Sequence, residues 1–189
     1  MILKLFFKIY HWLFNARTRI KLAYYKHLWK DQFSFDKLFV LSAYTTIDLQ
    51  SGASSATFKK GVHFRNFCNV ICGHNGKLLL GENVFFNNYC SVNCLHEITV
   101  GNNTIFGEGV KIYDHNHEFS DKDQLIIKQG IRYGSVNIGN NCWIGSNVVI
   151  LANVNIGDNV VVGANNLIFK SIPANTIVMA AAEKHLKAY

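Results

Sequence analysis

The clearest order in the sequence is a spacing of six between apolar residues. Ile138, Ile144, Ile150, Ile156, Val162 and Ile168 follow one another at that interval without a break. Glycine comes next after four of them, at Gly139, Gly145, Gly157 and Gly163. Four positions after each aliphatic stand Cys142, Val148, Val154, Val160, Asn166 and Ile172, mostly small or apolar. A helix cannot keep a six-residue period on one face, and an antiparallel meander needs longer strands with turns between them. An inward aliphatic followed by a turn residue, repeated every six, describes a coil of three short flat faces. Stacked coils of that kind bury one continuous, narrow core. The predicted class is therefore all-β, a parallel solenoid.

The same period runs upstream with interruptions. Leu80-Gly81, Phe86 and Val92 keep step, and Val100-Gly101, Phe106-Gly107 and Ile112 keep step again after a slip of two. Between about Gly61 and Leu79 only traces remain, as expected of terminal repeats that cap a stack. From Ile112 to Ile138 the distance along the chain exceeds four repeats by two positions. Residues 113–137, with Tyr113-Asp114-His115-Asn116-His117 at one end and Tyr133-Gly134 near the other, are expected to form an excursion loop. Insertions in a solenoid tend to land on its binding face.

The N-terminal stretch has a different period. Lys4, Lys8, His11 and Asn15 lie 4, 3 and 4 apart, on one face of a helix, and Ile2, Leu5, Phe6, Ile9, Trp12 and Leu13 occupy the others. A second basic stretch from Arg17 to Lys30 interleaves Tyr24, Tyr25 and Trp29. Two readings stand side by side: a helix packed on the domain or a partner subunit, or a helix lying in a membrane interface and drawn to anionic lipid. The expected organisation is a basic amphipathic segment over 1–30, a connecting segment with irregular strands over 31–60, the β-helix over 61–182 and a tail over 183–189.

Charge sharpens this division. Of 19 Lys and Arg, seven lie in residues 1–30 with no acid among them, which leaves twelve basic and twelve acidic residues in the neutral remainder. A nucleic-acid-binding face would spread its cations over the body, so that function class is set aside. At 49% hydrophobic and 16% charged residues the chain is not a disordered one. Lys4 and Lys8 interrupt the leading apolar stretch, no small-residue cleavage site follows, and a span needs about 20 mostly apolar residues. The expectation is a cytoplasmic protein, peripheral at the inner membrane face if residues 1–30 bind lipid.

The period of six, the Asp114-His115-Asn116-His117 excursion and the Ile138-Gly-Asn-Asn-Cys-Trp143-Ile-Gly-Ser146 stretch together resemble the left-handed β-helix (hexapeptide-repeat) acetyltransferases, nearest the galactoside, maltose and polysaccharide O-acetyltransferase branch. The resemblance covers about residues 61–182. It implies a left-handed prism, a homotrimer with sites at subunit seams, acetyl-CoA as cosubstrate, no required metal and a carbohydrate acceptor. It assigns His115 as the base that removes the hydroxyl proton, work suited to imidazole because its ordinary pKa lies near neutral. Around the acceptor it places Asn87, His117, Trp143 and Asp114, the last also able to orient the ring of His115. For CoA, bound mostly through backbone amides, it implies Ser146, Ala164 and Lys170, with Lys184 for the phosphates. The sequence departs from the family pattern at Leu95, where an acid is usual, and at Ala180-Ala181-Ala182-Glu183, where Gly-x-Pro-Ala is usual.

Each feature has a plainer reading. Both histidines fit exposed loop positions, and Asn87 fits a corner turn with left-handed backbone. Cys72 and Cys90, three repeats apart, fit equivalent interior positions on successive coils, where cysteine acts as a small hydrophobe rather than a zinc ligand. The alternatives are N-acetylation of an amino sugar, a γ-carbonic-anhydrase-like site on His96, His115 and His117, and a scaffold without chemistry.

Overall fold

The computed structural model describes the backbone of residues 2–42, 44–50 and 52–179, and the side chains from residue 16 on. Its body is a parallel β-helix. Three flat sheets, of six, seven and six strands, stack along one axis, and successive strands of the chain go to successive sheets. Inward and outward positions alternate, as in Lys77–Leu80 and Ser91–Cys94, so each strand contributes one or two apolar side chains to the core.

Coil length explains why the period of six is clean only in the C-terminal half. Successive strands of the second face pair Val40 with His63, His63 with Phe85 and Phe85 with Ile105. Each of these coils is longer than three hexapeptides, and each is shorter than the one before. The next pairing, Ile105 with Trp143, spans the excursion. Only then, from Trp143 to Val161, does a coil equal three hexapeptides. The earlier coils carry extra corner residues that break the count but not the stacking. Consequently the stack begins at Phe33–Phe35, which pairs with Ser55–Phe58, and not at residue 61.

The longer coils also change the cysteine pairing. Cys72 lies beside Cys94, not Cys90, because the extra corner residues of that coil move the register on. All five cysteines are buried free thiols. Hydrogen bonding with the stacked neighbour, then burial, pushes the thiols of Cys90 and Cys94 up, so both stay protonated in the core.

The core is read along columns. Phe64, Phe86 and Phe106 stack with ring centroids 4.6 and 4.3 Å apart and planes within 5°. At the corners, Asn83, Asn103, Asn141, Asn159 and Asn175 all take left-handed backbone, which asparagine tolerates. Their side chains bond from coil to coil, Asn141 to Asn159 at 2.8 Å and Asn159 to Asn175 at 3.0 Å. Asn87 is not among the left-handed residues.

Two additions complete the body. Helix α1 (Ile2–Trp29) sits at the first coil, where Tyr25 and Trp29 pack against Phe33. The excursion is shorter than 113–137. Tyr113 still pairs with Asn93, and Ser135–Ile138 already pairs with Glu97–Val100, so only residues 114–134 leave the coil. They form a hairpin of His115–His117 against Ile131–Tyr133, tied by Arg132 to Glu118 at 3.5 Å. At its tip the Gln129 amide donates to the carbonyls of Asp121 and Gln124, both at 2.8 Å.

Candidate active site

The excursion begins with a problem of hydrogen bonding. In the coil below, the amide of Gly73 donates to the carbonyl of Cys94 at 2.7 Å, coil to coil. One coil up, the chain leaves the stack after Tyr113, so the amide of Leu95 loses that kind of partner. Buried amides left unpaired are costly. Asp114, which follows Tyr113 as Cys94 follows Asn93, continues the inward column of Cys72 and Cys94 and turns its carboxylate to the amides of Leu95 and His96. Oδ1 accepts from Leu95 N at 2.9 Å and Oδ2 from His96 N at 2.8 Å. The amide of Gly134 closes the base of the hairpin on the Asp114 carbonyl at 2.7 Å.

The same carboxylate faces the next residue. His115 Nδ1 lies 3.0 Å from Asp114 Oδ1, with the histidine side chain 20% exposed and the aspartate side chain fully buried. An ionised carboxylate only accepts, so it selects the ring form with the proton on Nδ1 and leaves Nε2 with a lone pair. Asp114 is fully buried, away from the place beside an acceptor expected of it, and faces the ring of His115 instead. His117 is exposed on the hairpin, opposite Ile131. Below the hairpin lies a pocket of about 230 Å³ lined by Gln50, His74, Asn75, Leu95, His96, Ile131 and Tyr133. Its lining holds no carboxylate and no lysine or arginine.

A second group of expected residues gathers elsewhere, on the second face and the corner that follows it. Trp143 is 55% exposed there, between Ile105 and Val161 in register. With Phe85, Asn87, Ile105, Phe106 and Gly107 it lines a cleft of about 130 Å³. Asn87 Oδ1 accepts from its neighbour's amide at 2.8 Å and from Arg65 Nη1 at 3.2 Å. Past Trp143 the corner is built on close backbone approach. A Cβ on Gly145 would come within 2.6 Å of Ala164 N, and one on Gly107 within 2.6 Å of Ser146 N. Ser146 and Ala164 thus stack at one corner. Lys170 is exposed, its ammonium 5.7 Å from the Phe169 ring centre. Lys184 lies outside the described residues.

The chain alone therefore makes two half-sites on different corners of the prism: His115 with Asp114 at one, and Asn87, Trp143, Ser146 and Ala164 around another. Sequence reading missed the Leu95 and His96 amides, the neutral pocket beneath the hairpin and the contact of Arg65 with Asn87. An acid in a column of inward residues was the one available signal for the first. Among the described residues no group of three or more His, Cys, Asp or Glu is placed to hold a metal ion, and His96, His115 and His117 do not converge.

Residues 135–170 match the family model described as bacterial transferase hexapeptide (six repeats). A protein of Escherichia coli strain K12 named as the lipopolysaccharide biosynthesis O-acetyl transferase WbbJ is 33% identical over 121 residues, 60% of this chain and 62% of that protein. The chain spans less than two thirds of the length of the curated relatives it matches. Among solved structures, a maltose O-acetyltransferase from Clostridium difficile 630 is 27% identical, with a TM-score of 0.50 over 79% of this chain and 62% of that one. A galactoside acetyltransferase in complex with coenzyme A shares the fold at 24% identity, with a TM-score of 0.52 over 83% of this chain and 66% of that one. By its period, its stacked coils and these matches, the chain is similar to the hexapeptide-repeat acetyltransferases and shares their fold.

Proposed function

We propose that the protein transfers an acetyl group from acetyl-CoA to a sugar hydroxyl, with His115 as the general base. The observation that carries this reading is the buried Asp114 carboxylate 3.0 Å from His115 Nδ1, which leaves Nε2 free to take a proton. Nε2 removes the hydroxyl proton as the sugar oxygen attacks the thioester carbonyl carbon. The tetrahedral intermediate then collapses, the carbon–sulfur bond breaks, and the imidazolium returns its proton to the CoA thiolate. The imidazolium that forms in between is stabilised by the adjacent carboxylate.

Both relatives named as acting through oxygen, the lipopolysaccharide and maltose O-acetyltransferases, support a hydroxyl acceptor over an amine. The pocket under the hairpin supports a neutral sugar, since amide, imidazole and phenol groups line it without a formal charge. A surface polysaccharide unit or its lipid-linked precursor fits that chemistry. The backbone at Ser146 and Ala164 would take the pantetheine arm. Because this backbone and Trp143 stand on a different corner from His115, the working site needs two copies of the chain, as a trimer with the sites at its seams would provide.

The test is CoA thiol release with acetyl-CoA and a panel of polysaccharides, free sugars and nucleotide-linked amino sugars. His115→Asn should abolish release with a hydroxyl acceptor while the thermal midpoint stays near that of the parent. Near-normal turnover in that variant removes the assignment of the base. Release only with amino sugars replaces O- by N-acetylation.

A further inference from the structure

The packed face of α1 is narrow. From residue 16 on, Leu22, Tyr25 and Trp29 meet the core, and Lys21 donates to the carbonyl of Thr45. The opposite side bears Ile20, Tyr24 and Leu28, each four residues from the next, with exposures of 70%, 58% and 51%. Such a row is a continuous apolar stripe along a helix. Arg17 and Lys21 stand beside it and with Ile20 and Tyr24 line a groove of about 420 Å³, while Arg19 and Lys26 lie on the far side of the helix, Lys26 with its ammonium 5.8 Å from the Phe35 ring centre. In the sequence further apolar residues follow N-terminally at helical spacings, Leu13 seven residues before Ile20 and then Ile9, Phe6 and Ile2.

The helix has 28 residues, a length of about 42 Å at the usual rise. No helix among the described residues is long and apolar enough to cross a membrane. An apolar stripe bordered by Lys and Arg, with tyrosine and tryptophan beside it, has the composition of a helix that lies in the interface plane instead. Charge selects the occupant. Residues 1–30 hold seven Lys and Arg and no acid, while the rest of the chain is balanced. A second copy would bring seven more cations to the same face, whereas an anionic bilayer supplies the opposite charge along the whole helix.

We propose that α1 docks the protein on an anionic membrane surface, with Ile20, Tyr24 and Leu28 in the headgroup layer and Arg17 on the lipid phosphates. This goes beyond the catalytic reading and places the enzyme where a lipid-linked acceptor would be presented.

The experiment is sedimentation of the full chain with vesicles of phosphatidylcholine alone or mixed with phosphatidylglycerol, at low and high salt. Binding is expected only to the mixed vesicles and should weaken with salt. Arg17→Gln should weaken it about fivefold, the effect of one cation near an anionic surface. Ile20→Ser, Tyr24→Ser and Leu28→Ser together should also abolish binding without changing the mass found by light scattering in the absence of lipid. His115→Asn should bind like the parent, which separates docking from chemistry. No partition into the mixed vesicles, partition unchanged by charge removal, or a fall in mass in the triple serine variant each overturns the proposal; the last would make the stripe a contact between copies.

Discussion

Replacing Asp114 by Asn keeps the shape of the side chain and removes half of its function. The carboxylate accepts on both oxygens: Leu95 N and His115 Nδ1 on Oδ1, and His96 N on Oδ2. An amide has one accepting oxygen, so one of two things must happen. If the oxygen stays toward Leu95 and His115, the new NH2 faces the His96 amide, donor against donor. If the amide flips, the NH2 faces Leu95 N–H and forces Nδ1 to accept, which moves the ring proton to Nε2 and takes away the base. Either way a part-buried donor loses its partner, at a cost of up to about 1–3 kcal/mol. For a chain of this size the midpoint falls about 2–4 °C per kcal/mol, so a drop of roughly 2–12 °C is expected. The flipped form silences the base, whose contribution is worth about 10²–10⁴ in rate. Thermal unfolding reads the first effect and CoA release the second. Nitrogen-15 shifts of the His115 ring read the tautomer directly, with no acceptor needed. A variant with the parent's midpoint, ring tautomer and turnover would show that Asp114 neither holds the amides nor orients the base.

Other expectations follow from individual contacts. Burial, and then the Arg65 cation, hold His63 below the ordinary imidazole value of 6.5. The unfolded chain therefore takes up a proton that the native state refuses, so stability is full above about pH 6.5 and is lost as the pH falls below it. Thermal midpoints from pH 7.5 to 5 should fall less in His63→Gln than in the parent, and parallel curves would refute the assignment. Gly145→Ala should lower stability by about 1–3 kcal/mol, because the added carbon would sit 2.6 Å from Ala164 N and the coils must part; an unchanged denaturant midpoint would contradict the close stacking. Trp143→Ala should raise KM at least severalfold with little change in midpoint, since the ring is 55% exposed and lines a cleft rather than the core; a loss of stability without a change in KM would return it to a packing role.

The fold was legible wherever coil length equalled three hexapeptides. Trp143 to Val161 and Val149 to Leu167 are both coils of that length, and there the sequence shows its period openly. It was obscured where corners hold extra residues, as between Asn69 and Ser91, although the strands there stack in the same register. Period counting assumes that strand and corner repeat together. The structure conserves only the strands, because inward apolar side chains must fall above one another and corners face water. The misplaced partner of Cys72 and the late start given to the stack both follow from that one assumption.

The site was legible as residue types and not as places. His115 stands out because an excursion interrupts the coils, but nothing local says that Asp114 points inward, since neighbours on an extended strand face opposite ways. What turns it inward is the register with the preceding coil. Tyr113 lies on Asn93, so Asp114 enters the column of Cys94, just where the departing chain leaves the amide of Leu95 without its coil partner. The carboxylate is needed there by the fold whether or not chemistry follows. A uniform prism offers flat faces and no buried charge. The break that lets the chain leave the stack also supplies the carboxylate that holds a neighbouring imidazole, and in the proposed reaction this links the excursion to catalysis through backbone hydrogen bonding.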